Sequence, residues 1–185
     1  MDEAMERTPP RPMSDWSFMM MARSYRVISL FQNPFCVLDR VGLRTGITVV
    51  DYACGPARFT GEIARRIGPE GTVWAVDIHP RAMTMVRYAA ARRKLTNIKT
   101  SLACGYSSGL PDAGADLVLL IDAFHAIDDR PALLAELRRI IKPGGELFLR
   151  INHTPVTEAE AAVAGSGLFR LTEKSGRELR FAPVA

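Results

Sequence analysis

The feature that most constrains this chain is an alternation of β-branched runs with amphipathic stretches between Ile47 and Ile151. Residues 47–52 read as a buried strand. Residues 59–67 read as a helix closed by Gly68 and Pro69, and 72–77 as a second strand. Pro80 opens a helix that runs to about Lys94 with Met83, Val86 and Ala90 on one face. Strands follow at 98–103 and 116–122. Asp128 or Asp129 caps the next helix, where Leu133, Leu134, Leu137, Ile140 and Ile141 form an apolar stripe. Lys142-Pro143-Gly144-Gly145 ends it before a fifth strand at 146–151. Strands alternating with helices require a mostly parallel sheet covered on both faces. Right-handed crossovers then bring the strand C-termini to one edge, where ligands bind.

Two segments flank this core. Upstream, residues 14–31 and 34–41 are expected to form two short helices, separated because Pro34 disfavours helix at Asn33. Downstream, Thr157 and Glu160 have capping-box spacing for a helix that stops by Gly165. Strands near 167–173 and 178–183 around Ser175-Gly176 suggest a closing antiparallel hairpin. The organisation expected is a flexible Pro-rich leader at 1–12 and a single domain at 13–185. That domain divides into a helical lid at 13–44, a core at 45–152, and a C-terminal helix and hairpin at 153–185.

Composition narrows the function classes. The chain has 185 residues, 48% hydrophobic and 24% charged, which is ordinary for one soluble globular domain. No apolar run approaches the roughly 18–20 residues that span a bilayer, and the N-terminus lacks the pattern of a secretory signal. No membrane association is expected, and a cytoplasmic location is the default. Cys36, Cys54 and Cys104 form no CxxC pair and are odd in number, against both a disulfide framework and a structural zinc site. Cys54 and Cys104 read as small apolar filler on neighbouring strand ends. With three histidines and no His/Cys/Asp spacing, no metal site is expected. The formal charge of +4 is mild. The basic clusters Arg65-Arg66, Arg92-Arg93-Lys94 and Arg138-Arg139 fall near helix C-termini, where cations complement the dipole, so no nucleic-acid partner is expected.

The chemistry concentrates in Val49-Val50-Asp51-Tyr52-Ala53-Cys54-Gly55-Pro56-Ala57-Arg58-Phe59-Thr60, a buried strand that turns through small residues into a helix. Small residues let backbone approach a ligand closely. Twenty-two positions beyond Gly55, the second strand ends in Asp77, a carboxylate able to accept both hydroxyls of a ribose. This segment resembles motif I of class I S-adenosylmethionine-dependent methyltransferases, written Asp then Gly-x-Gly-x-Gly then helix, and Asp77 matches their ribose-binding acid. Leu110-Pro111, Asp116 to Asp122, and Leu137 to Gly145 resemble the later motifs in order, over roughly residues 40–152. The group most similar is the small-molecule type of quinone biosynthesis.

The resemblance implies a Rossmann-like three-layer α/β sandwich with a mostly parallel seven-stranded sheet, and S-adenosyl-L-methionine as cofactor. It implies that Asp51 and the backbone of Ala53, Cys54 and Gly55 hold the methionine portion. Asp77 takes the ribose, Ile78 lies against the adenine, residues 104–106 (with Gly105 and Tyr106) border the base, and Ile121 and Asp122 close the pocket near the methyl group. His125, with a pKa suited to general-base work, and Asp122 are the candidate catalytic residues. The acceptor is expected to be a small molecule, and the protein a monomer or homodimer.

Three positions depart from the family pattern. Ala53 and Ala57 replace glycines and resist positive φ, so the turn is expected to keep ordinary backbone angles or shift slightly. Tyr106 replaces the usual adenine-side acid, leaving stacking or a hydroxyl acceptor. A degenerate, non-catalytic binder is the alternative these support. A nicotinamide dehydrogenase fits poorly, because Pro56 removes an N–H and Phe59 stands where that fingerprint needs its last glycine. An RNA methyltransferase is a further alternative, although Asp122-Ala123-Phe124-His125 is unlike the Asn-Pro-Pro-Tyr type of base modifiers. Phe18, Met19, Met20, Met21, Tyr25, Phe31 and Phe35 are the candidate acceptor lid, since Met and aromatic side chains suit irregular apolar ligands.

Overall fold

In the computed structural model, which describes residues 10–31 and 33–184, one seven-stranded sheet has the order β3-β2-β1-β4-β5-β7-β6. The strands are β1 (Thr48–Tyr52), β2 (Thr72–Asp77), β3 (Ile98–Leu102), β4 (Ala115–Ile121), β5 (Ile141–Arg150), β6 (Phe169–Ser175) and β7 (Glu178–Pro183). β1 to β5 are parallel, while β7 runs antiparallel between β5 and β6. The fold is thus the expected α/β sandwich with a closing hairpin. The helices are α1 (Asp15–Phe31), α2 (Thr60–Ile67), α3 (Pro80–Arg92), α4 (Arg130–Ile140) and α5 (Val156–Ala164), with 3₁₀ turns at Pro34–Asp39 and Phe124–Ala126. Among the described residues, no helix is long and apolar enough to cross a membrane.

Strand alternation builds both faces of the core. Val50, Tyr52, Val118 and Leu120 point to the α4 and α5 side, whereas Val49, Leu117, Leu119 and Ile121 point to the α2 side. Phe18 of α1 joins Ala82, Met83 and Val86 of α3 over Ala75. Because both faces are covered, β1 and β4 are buried almost throughout, which is why they read as continuous apolar runs. The chain reverses its winding between β1 and β4. Their C-terminal ends diverge there and leave the crevice typical of open α/β sheets.

Several boundaries differ from the sequence expectation. α4 stops at Ile140, and Ile141 pairs at once with Ala115, so Lys142 to Gly145 bulges within β5 instead of preceding it. Pro143 has no N–H to give a ladder, and the bulge absorbs it. The capping box does not form. α5 begins on Pro155, whose carbonyl accepts from Glu158 and Ala159, and Thr157 lies inside the first turn. Glu160 pairs instead with Lys174 at 2.6 Å. Asp129, not Asp128, caps α4 through Ala132 N–H at 3.0 Å. Cys54 and Cys104 are not neighbours either, since β2 lies between the strands that precede them. Cys54 is buried and Cys104 exposed.

One polar contact ties the 104–110 loop to the sheet. Buried Glu136 of α4 accepts from Ser108 N–H (2.7 Å) and its hydroxyl, and from Arg139 Nη2 (2.7 Å). Glu136→Ala leaves the fully buried Ser108 donors unpaired, and is expected to cost about 3 kcal/mol in urea unfolding. A loss under about 1 kcal/mol, the ordinary value of a neutral hydrogen bond, would show that the loop does not depend on this carboxylate.

Candidate functional site

β1 ends in a loop whose residues 53, 55 and 57 are all left-handed: Ala53 φ 58°, Gly55 φ 54° and Ala57 φ 62°. The expectation that the alanines would keep ordinary angles is therefore wrong. The loop is over-determined from both sides. Cys54 N–H donates to Val76 C=O (3.0 Å), Gly55 N–H to Asp77 Oδ2 (2.8 Å), and Cys54 and Phe59 are buried. These contacts hold two alanines where each costs about 1–2 kcal/mol. Glycine geometry survives without the glycines.

Asp77 closes β2 and accepts at both oxygens, from Gly55 N–H and from His79 N–H, each at 2.8 Å. Burial raises its pKa, partly opposed by these N–H donors. Asp51, buried at the end of β1, accepts from Thr60 Oγ1 at 2.6 Å and lines the cavity. Burial pushes its pKa up to about 7; the Thr60 hydroxyl opposes this and Asp77 adds to it. Past β4, Asp122 is left-handed (φ 57°) and accepts from Asn152 Nδ2 at 2.6 Å. His125 follows in the 3₁₀ turn, its ring centroid 4.6 Å from that of His153. Partial burial and the His153 charge lower the His125 pKa, against an opposing contribution from Asp122.

These residues surround one cavity of about 390 Å³ above the ends of β1, β2 and β4, within the size range of ligand sites. Its lining includes Asp51, Ala53, Cys54, Gly55, Asp77, Ile78, Gly105, Tyr106, Ile121, Asp122 and His125, so the fold brings every candidate site residue to one place. Gly105 is left-handed (φ 61°). The Tyr106 hydroxyl accepts from Asp129 N–H at 2.9 Å, and its carbonyl accepts from the Tyr52 hydroxyl. These two contacts fix Tyr106 where it lines the cavity.

The candidate lid divides. Phe18, Met21 and Tyr25 face the cavity, whereas Met19, Met20 and Phe31 are exposed and Phe35 packs against the α2-side core. Phe18 stacks on His79 with centroids 4.1 Å apart, and Asp15 pairs with Arg81 at 2.6 Å, docking α1 on α3. Residues 1–9 of the expected leader lie outside the described residues. Pro10, Arg11 and Pro12 line the cavity.

Sequence reasoning missed Arg58 and Thr60. Thr60 had a signal, an N-terminal hydroxyl nine residues after an acid. Arg58 had none beyond its place in the loop. It stacks over Tyr25 (4.7 Å) and Phe59 (5.3 Å) at the cavity wall.

Together these features define a Rossmann-like site for a nucleoside-bearing cation. The bare-backbone loop, the ribose-ready carboxylate, the apolar wall of Ile78, Ala103 and Tyr106, and the acids Asp51 and Asp122 fit an adenosyl sulfonium. Residues 50–149 match the family model described as "Methyltransferase domain", so the chain belongs to the class I S-adenosylmethionine-dependent methyltransferase family. The ubiquinone/menaquinone biosynthesis C-methyltransferase UbiE of Marinomonas sp. (strain MWYL1) is 28% identical over 76% of this chain and 56% of its own length. Nocamycin O-methyltransferase of Saccharothrix syringae is 30% identical over 61% of this chain and 40% of its own. The chain thus spans about half the length of the curated relatives it matches. A crystal structure of a SAM dependent methyltransferase from Aquifex aeolicus superposes with TM-score 0.81 at 18% identity, covering 94% of this chain and 100% of that one, which shows the shared fold.

Proposed function

We propose that this chain is an S-adenosylmethionine-dependent methyltransferase that methylates a small-molecule acceptor by in-line transfer. The observation that carries the reading is the Asp77–Gly55 junction. A carboxylate at the end of β2 is held by the N–H of a left-handed loop and faces a cavity with apolar walls. Bound there, the cofactor supplies an electrophilic methyl group on a sulfonium.

The protein's part is to bind, align and exclude water, which can supply several kcal/mol of the barrier. Asp77 would hold the ribose, with Ile78 and Tyr106 enclosing the adenine and Gly105 leaving room for it. Asp51 and the backbone of Ala53, Cys54 and Gly55 would hold the methionine portion, with Ile121 closing the cavity behind it. Asp122 and His125 stand at the acceptor side. With its pKa lowered, His125 is neutral near pH 7 and can take a proton from an acceptor that must lose one. Phe18, Met21 and Tyr25 would seat an apolar or aromatic acceptor. Relatives named as a ubiquinone/menaquinone biosynthesis C-methyltransferase and a nocamycin O-methyltransferase support a small-molecule acceptor.

The structure gives less support to the two alternatives. A degenerate binder rested on Ala53, Ala57 and Tyr106, and two of these, Ala53 and Ala57, hold the conformation that glycine would. Of the three basic clusters that an RNA acceptor could use, two are engaged by carboxylates: Arg65 and Arg66 by Glu62 and Asp39, and Arg139 by Glu136 and Asp112. Calorimetry with S-adenosylhomocysteine, followed by mass spectrometry of quinol, phenol and carboxylate panels incubated with S-adenosylmethionine, tests the proposal. Saturable binding and a mass gain of one methylene unit are expected; folded protein that takes up neither compound would overturn it.

A further inference from the structure

α1 is apolar on two opposite faces. One is used within the fold: Phe18 and Ala22 are buried, and Phe18, Met21 and Tyr25 line the cavity. The other carries Trp16, Met20, Arg23, Val27 and Phe31, spaced by four, three, four and four residues, so they share one side of the helix. All five are exposed, Trp16 at 73% and Phe31 at 83%. Exposed Met19 and Ile28 widen the stripe. With Met13 just before the helix, seven of the ten large apolar side chains exposed among the described residues fall within residues 13–31. A contiguous exposed patch of this kind marks an interaction surface.

The charges beside the stripe say what it meets. Residues 10–31 hold three arginines, Arg11, Arg23 and Arg26, all exposed, and one acid, Asp15, which pairs with Arg81 at 2.6 Å. A basic helix with Trp and Phe on its apolar face suits the boundary between anionic headgroups and acyl chains. Arg23 lies in the stripe itself, where its stem can follow the apolar side chains while its head meets a phosphate. A second copy of the chain fits worse. Pairing the stripe with itself about its midpoint, parallel or antiparallel, sets Arg23 against its own copy. No helix among the described residues can cross a bilayer, but a helix lying in the interface needs only one apolar face. Run length, on which the expectation of no membrane association rested, does not detect such a face.

We infer that α1 is an interfacial helix that docks this protein on the surface of an anionic lipid bilayer. Because Met13 is exposed and also lines the cavity, the docked helix lies beside the cavity mouth. Docking needs no bound cofactor, and so goes beyond the methyltransferase reading.

The test is sedimentation of the full chain with vesicles of phosphatidylcholine alone or mixed with phosphatidylglycerol. Binding to the mixed vesicles is expected to be tighter by roughly 10- to 100-fold, and to weaken with salt. Trp16 is the reporter: in Trp74→Phe protein, where it is the only tryptophan, its emission should shift to the blue on binding. Val27→Gln with Phe31→Gln should weaken binding at least about 10-fold with thermal melting unchanged, since both side chains are exposed. Arg23→Gln with Arg26→Gln should lose the preference for the mixed vesicles. No sedimentation with either vesicle, or equal binding by the wild type and both double variants, would overturn the docking. So would a dimer in sedimentation velocity that Phe31→Gln dissolves, since a second copy would then cover the stripe. Failure to take up S-adenosylhomocysteine would instead overturn the methyltransferase reading and leave the docking in place.

Discussion

Asp77→Asn should reduce affinity for S-adenosylhomocysteine by at least about 100-fold while leaving the protein folded. Two charge-assisted hydrogen bonds from ribose hydroxyls, each worth about 1.5–3 kcal/mol, account for a loss of that size. The substitution preserves shape but removes the negative charge. It also offers one acceptor where two backbone donors, Gly55 N–H and His79 N–H, now converge. Part of the loss should therefore come from the loop, whose left-handed Ala53 and Ala57 depend on Gly55 being held. Calorimetry separates the two routes when Asp77→Asn is compared with Asp77→Glu, which keeps the charge but moves it. If Asp77→Asn binds as tightly as the wild type, the ribose is held elsewhere and the site has been assigned to the wrong strand end.

Asp51 should make the ligand-free protein less stable as pH rises from about 4 to 7. Its carboxyl has an ordinary pKa near 4 in the unfolded chain, but about 7 in the fold, where burial disfavours the charged form. Between those values the folded state binds more protons than the unfolded one, so stability falls as pH increases. The full difference corresponds to roughly 4 kcal/mol, present below pH 4 and lost by pH 7. Asp51→Asn keeps an acceptor for the Thr60 hydroxyl and carries no charge. It should flatten the Asp51 contribution and raise stability at pH 8, read as the urea midpoint across pH. Parallel curves for the two proteins would show that Asp51 does not titrate in this range. Such a cost is what a cation-binding acid imposes: a buried carboxylate waits for a positive ligand to compensate it.

The sheet and the candidate site were legible in the sequence for the same reason. β1 and β4 are covered on both faces, and that burial demands uninterrupted apolar runs with turn residues between them. Asp51, Gly55 and Asp77 fall at strand ends, and an α/β winding delivers strand ends to one edge. Lys142 to Gly145 misled because proline and two glycines mark either a helix stop or a strand bulge. Only the pairing of Ile141 with Ala115 decides between them. The capping box misled likewise: Pro155 started the helix two residues earlier than Thr157 could have capped it.

What the sequence determined by itself is whatever depends on the periodicity of burial: the alternating elements, the parallel sheet, and the acids at its edge. The tertiary structure decided the rest, which depends on contacts between residues far apart in the chain. Ala53 and Ala57 are left-handed because Val76 and Asp77 hold the residues between them. Glu136 is buried because Ser108 needs an acceptor. Arg58 faces the cavity because Tyr25, from a helix over thirty residues upstream, stacks on it. A local pattern can say that a residue is polar, small or apolar; it cannot say which distant partner will fix its conformation.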